Sequence, residues 1–392
     1  MVNFKWKNNI LFGVCLIFFL ILSTPLAFTL FDYINKILEG KVEKILPFDL
    51  SVESYFDGKL QENIDEWWGN NFRFRNELSK SANQIDISLF KLISNFNFAF
   101  LNTNHGEIFL KKDVQEYVRR VPTDFDLLES EVKAISRLQY LLEKRGIAFL
   151  YIIPASKSFV YPEYLFKKDR DLMKTFSAGD YMNLITLFNK YKVNFLDANE
   201  LFAEIKTSES TLLFETDGFH WNNYGACIIQ KKIYEIIDLQ LNKSIIRINC
   251  DPPLFLTKED ISEINNRHFL IWKFPYADGF GATPTFFLEK DLTATVPSMA
   301  IIGDSFYVRN FALTNKYGIS ENNNFYNNFL YKVNGPDYLN ITSEEVDWRK
   351  DFLSKDAIVL EMSLSIHQLP ESYVHVFVKM LIAELEMQLI VR

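Results

Sequence analysis

The stretch Pro297 to Phe306, PSMAIIGDSF, joins a short apolar run to a Gly-Asp-Ser turn. A continuous apolar run of this length is typical of a strand that is buried on both faces. A serine on such a turn exposes its hydroxyl beside backbone N–H groups that stabilise an oxyanion. The stretch therefore predicts a buried strand with a candidate nucleophile, Ser305, at its carboxyl end.

The chain on either side of this stretch alternates between helical and strand patterns. DFDLLESEVKAISRLQYLLEKRG has helical periodicity and is followed by the apolar run IAFLYIIPAS, and KDAIVLEMS supplies another apolar strand. Alternation of this kind predicts an α/β domain with a mostly parallel sheet covered by helices on both faces. Reactive groups in such sheets collect in the loops at the carboxyl ends of the strands.

A second polar loop, TDGFHWNNYGA, supplies a candidate partner for the serine. A serine hydroxyl is a weak nucleophile until a base takes its proton, and histidine suits that role at neutral pH. An acid then holds the histidine in the correct tautomer, whatever the order of the residues along the chain. We therefore predict a catalytic set of Ser305, His220 and Asp217. The alternative is a plain turn in which Asp304 caps the local backbone.

Several other residues have both a functional and a structural interpretation. Trp221 either stacks on a sugar ring or belongs to the core, and Arg309 either binds an anionic sugar or acyl carbonyl or pairs with a surface acid. Lys157 has the same two alternatives. Cys227 and Cys250 are able to pair in an oxidising compartment, although their residue types alone do not decide it. No CxxC or HExxH spacing occurs, so we predict neither a metal site nor a cofactor.

The N-terminus predicts a membrane anchor. Ile10 to Phe31 contains no charged residue, and Lys5 and Lys7 precede it. A spanning helix needs about 20 apolar residues, and basic residues before the span keep the N-terminus in the cytoplasm. We favour an uncleaved signal anchor over a cleaved signal peptide, and in either case the body of the chain beyond Asp32 is exported.

We expect three parts in the chain of 392 residues. Residues 1–31 form a cytoplasmic tip and transmembrane anchor, 32–98 an aromatic-rich helical stalk, and 99–392 the α/β catalytic domain. The least regular part, about 249–296, reads as an insertion or lid. The net charge of −8 without a basic face argues against a nucleic-acid partner.

The two loops, together with further motifs, resemble a known family. TDGFHWNNYGA, IIGDSF, IIPASKSFVYPEYL and FLDANELF are similar to the SGNH hydrolase-like domain of the alginate O-acetyltransferase family, of the AlgJ and AlgX type. The similarity runs from about Asn63 to Leu364. As in this branch, the serine motif follows the histidine motif, a circularly permuted order relative to ordinary SGNH hydrolases. The branch often shows DxHW, whereas this chain has DGFHW.

The resemblance implies a three-layer domain and an activity. That activity is transfer of an acetyl group, through an acyl-serine, onto a hydroxyl of an exported or cell-surface polysaccharide. A membrane-bound O-acyltransferase would supply the acetyl group, and the chain would sit in the bacterial inner membrane as a single-pass protein with its catalytic domain in the periplasm or outside the cell. The alternatives are a carbohydrate acetyl-esterase that uses water as acceptor and a non-catalytic polysaccharide-assembly or binding protein.

Overall fold

The chain is represented by a computed structural model, whose contacts divide it into two units. One unit comprises Met1–Phe96 and Glu263–Pro275, and the other comprises Asn97–Ser262 and Tyr276–Arg392. The structure describes residues 12–20, 23, 51–71, 75–90, 99–102, 107–110, 124–165, 167–175, 179–208, 212–214, 219–252, 257–258, 272, 280–281, 285–289, 294–319, 323–329, 331–334, 337–340, 345–363 and 372–390.

The first unit is helical where it is described. Its elements are α1 (Val52–Phe56), α2 (Lys59–Asn71), α3 (Arg75–Ile85) and a π-helical turn at Asp86–Phe90. Residues 12–20 are helical as well. None of the helices in the described ranges is long and apolar enough to cross a membrane. Most of the predicted anchor over 10–31 lies outside those ranges, with 12–20 and Ser23 the exceptions.

The second unit alternates helices and strands. Its helices are α4 (Phe125–Glu143), α5 (Lys157–Val160), α6 (Lys167–Thr175), α7 (Gly179–Lys190), α8 (Ala198–Ser208), α9 (Asn223–Leu241), α10 (Ser305–Lys316) and α11 (Tyr373–Ile390). Its strands are β1 (Ala99–Asn102), β2 (Glu107–Leu110), β3 (Ala148–Ile153), β4 (Phe195–Asp197), β5 (Arg247–Asp251), β6 (Thr257–Lys258), β7 (Phe280–Gly281), β8 (Thr285–Glu289), β9 (Met299–Gly303), β10 (Asn324–Asn327), β11 (Tyr331–Asn334), β12 (Asp337–Asn340) and β13 (Ala357–Glu361). Short 3₁₀ and π turns occupy Pro162–Tyr164 and Arg349–Leu353.

A seven-stranded sheet runs through this unit in the order β12-β11-β10-β9-β13-β3-β4. The parallel part of the sheet consists of β10, β9, β13, β3 and β4, in that spatial order. Strands β11 and β12 add an antiparallel edge beside β10. Strand β9 therefore lies between β10 and β13, near the middle of the sheet. The prediction of an α/β fold with a mostly parallel sheet is confirmed.

Successive residues of the central strands point to opposite faces of the sheet, and both faces are buried. On β9, Met299 and Ile301 enter one core, whereas Ala300 and Ile302 enter the other. The first core packs against α9 and α10, and the second against α4, α7 and α11. The unit thus has three layers, and the carboxyl of β13, Glu361, stands at the end of its strand.

A small antiparallel sheet, β5 with β8, is joined to the main body by a disulfide. Cys227 on α9 and Cys250 on β5 are bonded, with their Cα atoms 6.0 Å apart. Cys15 is the free cysteine and is exposed. The pairing that the residue types left open therefore exists, and it closes a loop over a sequence separation of 23 residues.

We expect the paired change Cys227→Ser and Cys250→Ser to lower the free energy of unfolding by about 3 kcal/mol, because the bond restricts the unfolded chain over a loop of this length. Denaturant unfolding of the full chain measures it. Cys15→Ser is the matched control and should leave stability unchanged. Equal stability of the wild type and the double variant would contradict the bond's contribution.

Candidate active site

The serine turn sits where β9 meets α10. Asp304 is the N-cap of α10, and its Oδ1 accepts the N–H of Phe306 at 2.8 Å. Ser305 is the first residue of that helix and is exposed. The positive end of the helix dipole therefore lies at the serine, where negative charge develops in acyl transfer.

Close packing underneath the turn requires glycine at position 303. Leu360 of β13 pairs with Ile302 of β9, which brings Glu361 beside Gly303. Glu361 Oε2 accepts the N–H of Asp304 at 2.8 Å. A Cβ at position 303 would lie 2.8 Å from the same oxygen, so any other side chain would displace the carboxyl or the turn. The buried carboxyl end of β13 thus holds the serine turn, through the contact of Glu361 with the Asp304 N–H.

Backbone contacts hold the stretch of chain that carries His220, just before α9. Phe214 and Trp221 form an antiparallel bridge, and the N–H of Asn222 donates to the carbonyl of Leu213 at 2.9 Å. Asn222 also caps α9, because its Oδ1 accepts the N–H of Gly225 at 2.9 Å. His220 is therefore held just before the start of α9.

The two loops bring His220 and Ser305 into hydrogen-bond contact. Nε2 of His220 lies 2.9 Å from Oγ of Ser305, although the two residues are 85 positions apart in the chain. This distance allows the imidazole to accept the serine proton when Nε2 is the unprotonated nitrogen. Asp217, the predicted acid, lies outside the described residues. Its place in the catalytic set stays a prediction.

Aromatic rings surround the imidazole. The ring centroid of Phe219 is 4.3 Å from that of His220, and the ring of Phe306 meets it edge to face at 4.8 Å. Phe306 is buried and Phe219 is half-buried. The imidazole is therefore restricted on two sides, which limits its rotation and leaves its edge directed at the serine.

Trp221 does not have the exposure that stacking on a sugar requires. Its side chain is fully buried, and Nε1–H donates to Oδ1 of Asn310 at 2.9 Å. Nδ2 of Asn310 in turn donates to the carbonyl of Ala226 at 2.9 Å. The sugar-stacking interpretation is corrected on this point, because Trp221 belongs to the core. The indole of Trp221 joins the chain just before α9 to α10.

The other two predicted binding residues differ in position. Lys157 is 2% exposed, and its Nζ lies 5.5 Å from the ring centroid of Phe109. A lysine buried to this extent has no surface to offer a glycan in this conformation. Arg309 is half-buried on α10, four residues after Ser305 and so on the same side of the helix. Its role in binding substrate stays a prediction.

Two residues that position the site were not singled out in the sequence. Asn310 holds the indole of Trp221, and Glu361 holds the serine turn. Asn310 gives no signal, because a polar residue in a helix usually faces solvent. Glu361 ends an apolar strand run, which marks a carboxyl at the reactive edge of a parallel sheet.

Comparison with known proteins finds a family model that matches part of the chain. Residues 109–244 match the family model described as the SGNH hydrolase-like domain of the acetyltransferase AlgX. The match includes His220 but ends before Ser305. None of the curated proteins matches the chain.

Several solved structures are similar to the chain. The O-acetyltransferase domain of Pseudomonas putida AlgJ has 14% identity and a TM-score of 0.41, over 74% of this chain and 99% of that domain. Pseudomonas aeruginosa AlgX has 16% identity and a TM-score of 0.43, over 69% of this chain and 63% of its own. Bacillus cereus PatB1 has 12% identity and a TM-score of 0.38, over 64% of this chain and 93% of its own. Identities and TM-scores this low transfer no residue's role.

Proposed function

We propose, from the match of residues 109–244 to the family model of the SGNH hydrolase-like domain of the acetyltransferase AlgX, that the chain is a serine-dependent O-acetyltransferase. Its acceptor is a hydroxyl of an exported or cell-surface polysaccharide, and its acetyl donor is supplied by a membrane-bound O-acyltransferase. The observation that carries the proposal is the 2.9 Å contact between Nε2 of His220 and Oγ of the exposed Ser305.

The reaction uses this contact twice. In the first half, Nε2 of His220 takes the serine proton while Oγ attacks the acetyl carbonyl carbon, and the imidazolium returns the proton to the leaving group of the donor. In the second half, a sugar hydroxyl gives its proton to Nε2 and its oxygen attacks the acyl-serine. The Ser305 oxygen leaves and recovers that proton. Water in place of the sugar would make the same site an esterase.

The direct test supplies 4-nitrophenyl acetate as donor to the purified full chain, with and without polysaccharide oligomers. Mass spectrometry then separates acetylated oligomer from free acetate. Acetylated oligomer in excess over the reaction without enzyme supports transfer. Free acetate at an unchanged rate with every oligomer supports the esterase, and the absence of both products contradicts the proposal.

Ser305→Ala should reduce turnover by a factor on the order of 10⁴ to 10⁶, because the nucleophile and its base act as one unit. His220→Ala should be comparably damaging, and the double variant should be little worse than either single one. Steady-state kinetics with the small ester measure these losses. Asn315→Ala, at the exposed far end of the same helix, is the control and should retain activity. A fully active Ser305→Ala variant would exclude the acyl-serine.

Arg309→Ala should raise KM for oligomers that contain uronic acids by about 10-fold, the scale of one lost hydrogen bond to a charged group. Turnover of 4-nitrophenyl acetate should change little, because the small ester has no acceptor sugar. Lys316→Ala removes an exposed cation from the other end of α10 and is the matched control. Equal effects of the two substitutions would contradict acceptor binding at Arg309.

We also propose that the chain is held in the bacterial inner membrane through residues 10–31, with the catalytic domain outside the cytoplasm. The uncharged run behind Lys5 and Lys7 supports this topology, and so does the Cys227–Cys250 disulfide, since such bonds persist in oxidising compartments. A reporter enzyme that works only outside the cytoplasm, fused after Phe98, should be active. Activity of a cytoplasm-only reporter at the same position would contradict it.

A further inference from the structure

Two carboxyl groups lie together beneath the nucleophile turn. Glu361 is fully buried and Asp304 is 4% exposed. Glu361 Oε2 accepts the backbone N–H of Asp304 at 2.8 Å, and the two side chains also interact with each other. Oδ2 of Asp304 accepts the N–H of Ser363 at 3.3 Å, and Oδ1 caps α10. Both oxygens of Asp304 are thus engaged as acceptors, which suits its ionised form.

Two ionised carboxylates side by side in a buried site would repel each other, so one of the two carboxyls retains its proton. Burial raises the pKa of Glu361 well above its ordinary value, and the neighbouring charge of Asp304 raises it further. Burial also raises the pKa of Asp304, whereas the N–H of Phe306 and the contacts to Ser363 and Glu361 lower it. The proton therefore belongs on Glu361.

Other ionisable groups face the pair from the neighbouring elements. From β3 comes the buried hydroxyl of Tyr151, and from α10 that of Tyr307, whose pKa burial raises above the ordinary range. From α4 comes Glu131, which contributes to the raised pKa of Tyr151 and contacts Nε2 of His375 on α11 at 2.9 Å. Burial raises the pKa of both tyrosines and keeps them neutral, so neither adds a positive charge that would ionise both carboxyls.

We propose that Asp304 and Glu361 share one proton, carried by Glu361, and that this singly protonated pair positions Ser305 and limits the reaction at alkaline pH. The catalytic consequence of this proposal rests on the proposed function. The assignment of the proton to Glu361 rests only on the buried contacts. Glu361 is a positioning residue, because it touches the serine turn rather than the reacting atoms. Loss of its proton would place two charges under the turn and displace Ser305 from His220.

The proton is tested without any enzymatic reaction. The infrared spectrum of the purified full chain near neutral pH should contain a protonated-carboxyl C=O band that disappears in Glu361→Gln. Glu129→Gln is the matched control, because a hydrogen bond from Lys190, with others from Tyr191 and Lys133, lowers the pKa of Glu129 to about 2 and keeps it ionised. A spectrum unchanged by Glu361→Gln would overturn the shared proton, whether or not the chain transfers acetyl groups.

The stability of the fold should depend on pH through the same Glu361 proton. A carboxyl whose pKa is raised in the folded state stabilises the fold at low pH, and that contribution is lost as the pH rises from the unfolded value through the folded one. Glu361→Gln cannot lose a proton, so its Tm relative to the wild type should increase as the pH rises above the ordinary value of 4.5. A Tm difference that does not vary with pH would contradict the proposal.

Kinetics test the positioning role. Glu361→Gln retains an acceptor for the Asp304 N–H and should keep kcat at neutral pH within about 3-fold of the wild type. Glu361→Leu removes that acceptor and should lower kcat by about 10- to 100-fold with little change in KM, the scale of a small misplacement of a catalytic group. A Glu361→Leu variant that folds and works at the wild-type rate would overturn the positioning role.

The alkaline limb of the kcat profile separates positioning from simple packing. It should move to higher pH or vanish in Glu361→Gln, while the acid limb should stay in place. Asp197→Asn is the control, since Asp197 is a half-buried carboxyl that ends β4 and accepts hydrogen bonds from the Tyr181 hydroxyl and the N–H of Asn199. Its profile should match the wild type. An alkaline limb identical in the wild type and Glu361→Gln would contradict the proposal.

Discussion

The burial of strands β9 and β13 on both faces is the constraint from which the site follows. Every residue from Met299 to Gly303 and from Ala357 to Glu361 is buried. A buried strand cannot hold uncompensated polar groups along its length, so polar chemistry is confined to its ends. Both strands run in the same direction, and their carboxyl ends place the serine turn and Glu361 side by side.

The site therefore has a rigid lower layer and an open upper one. Below, the Asp304 N–H donates to Glu361, and Gly303 leaves just enough room for that carboxyl. Above, Ser305 is exposed beside His220. This separation lets buried groups hold the serine turn while the hydroxyl of Ser305 stays accessible from outside the fold.

The parts of this arrangement that depend on residue type and on the period of the hydrophobic pattern could be predicted from the sequence. Buried runs such as AFLYII and AIVLE read as strands because their length and composition suit a sheet covered on both faces, and a serine with a histidine reads as a nucleophile with its base. Apart from the partnership of His220 with Ser305, contacts between distant segments could not be predicted from the sequence. The bond between Cys227 and Cys250 depends on how β5 returns to α9, and the burial of Trp221 depends on its contact with Asn310, 89 positions away.

The reversed order of the motifs has a simple physical account in the pairing of α9 with α10. His220 lies just before the N-cap of α9, and Ser305 is the first residue of α10. Asn310 ties the two helices together, because its side chain receives the indole N–H of Trp221 and donates to the carbonyl of Ala226. Helices joined in this way present their two N-termini side by side, whichever occurs first in the chain. The contact between His220 and Ser305 thus depends on how the two helices pack, and chain order does not alter it.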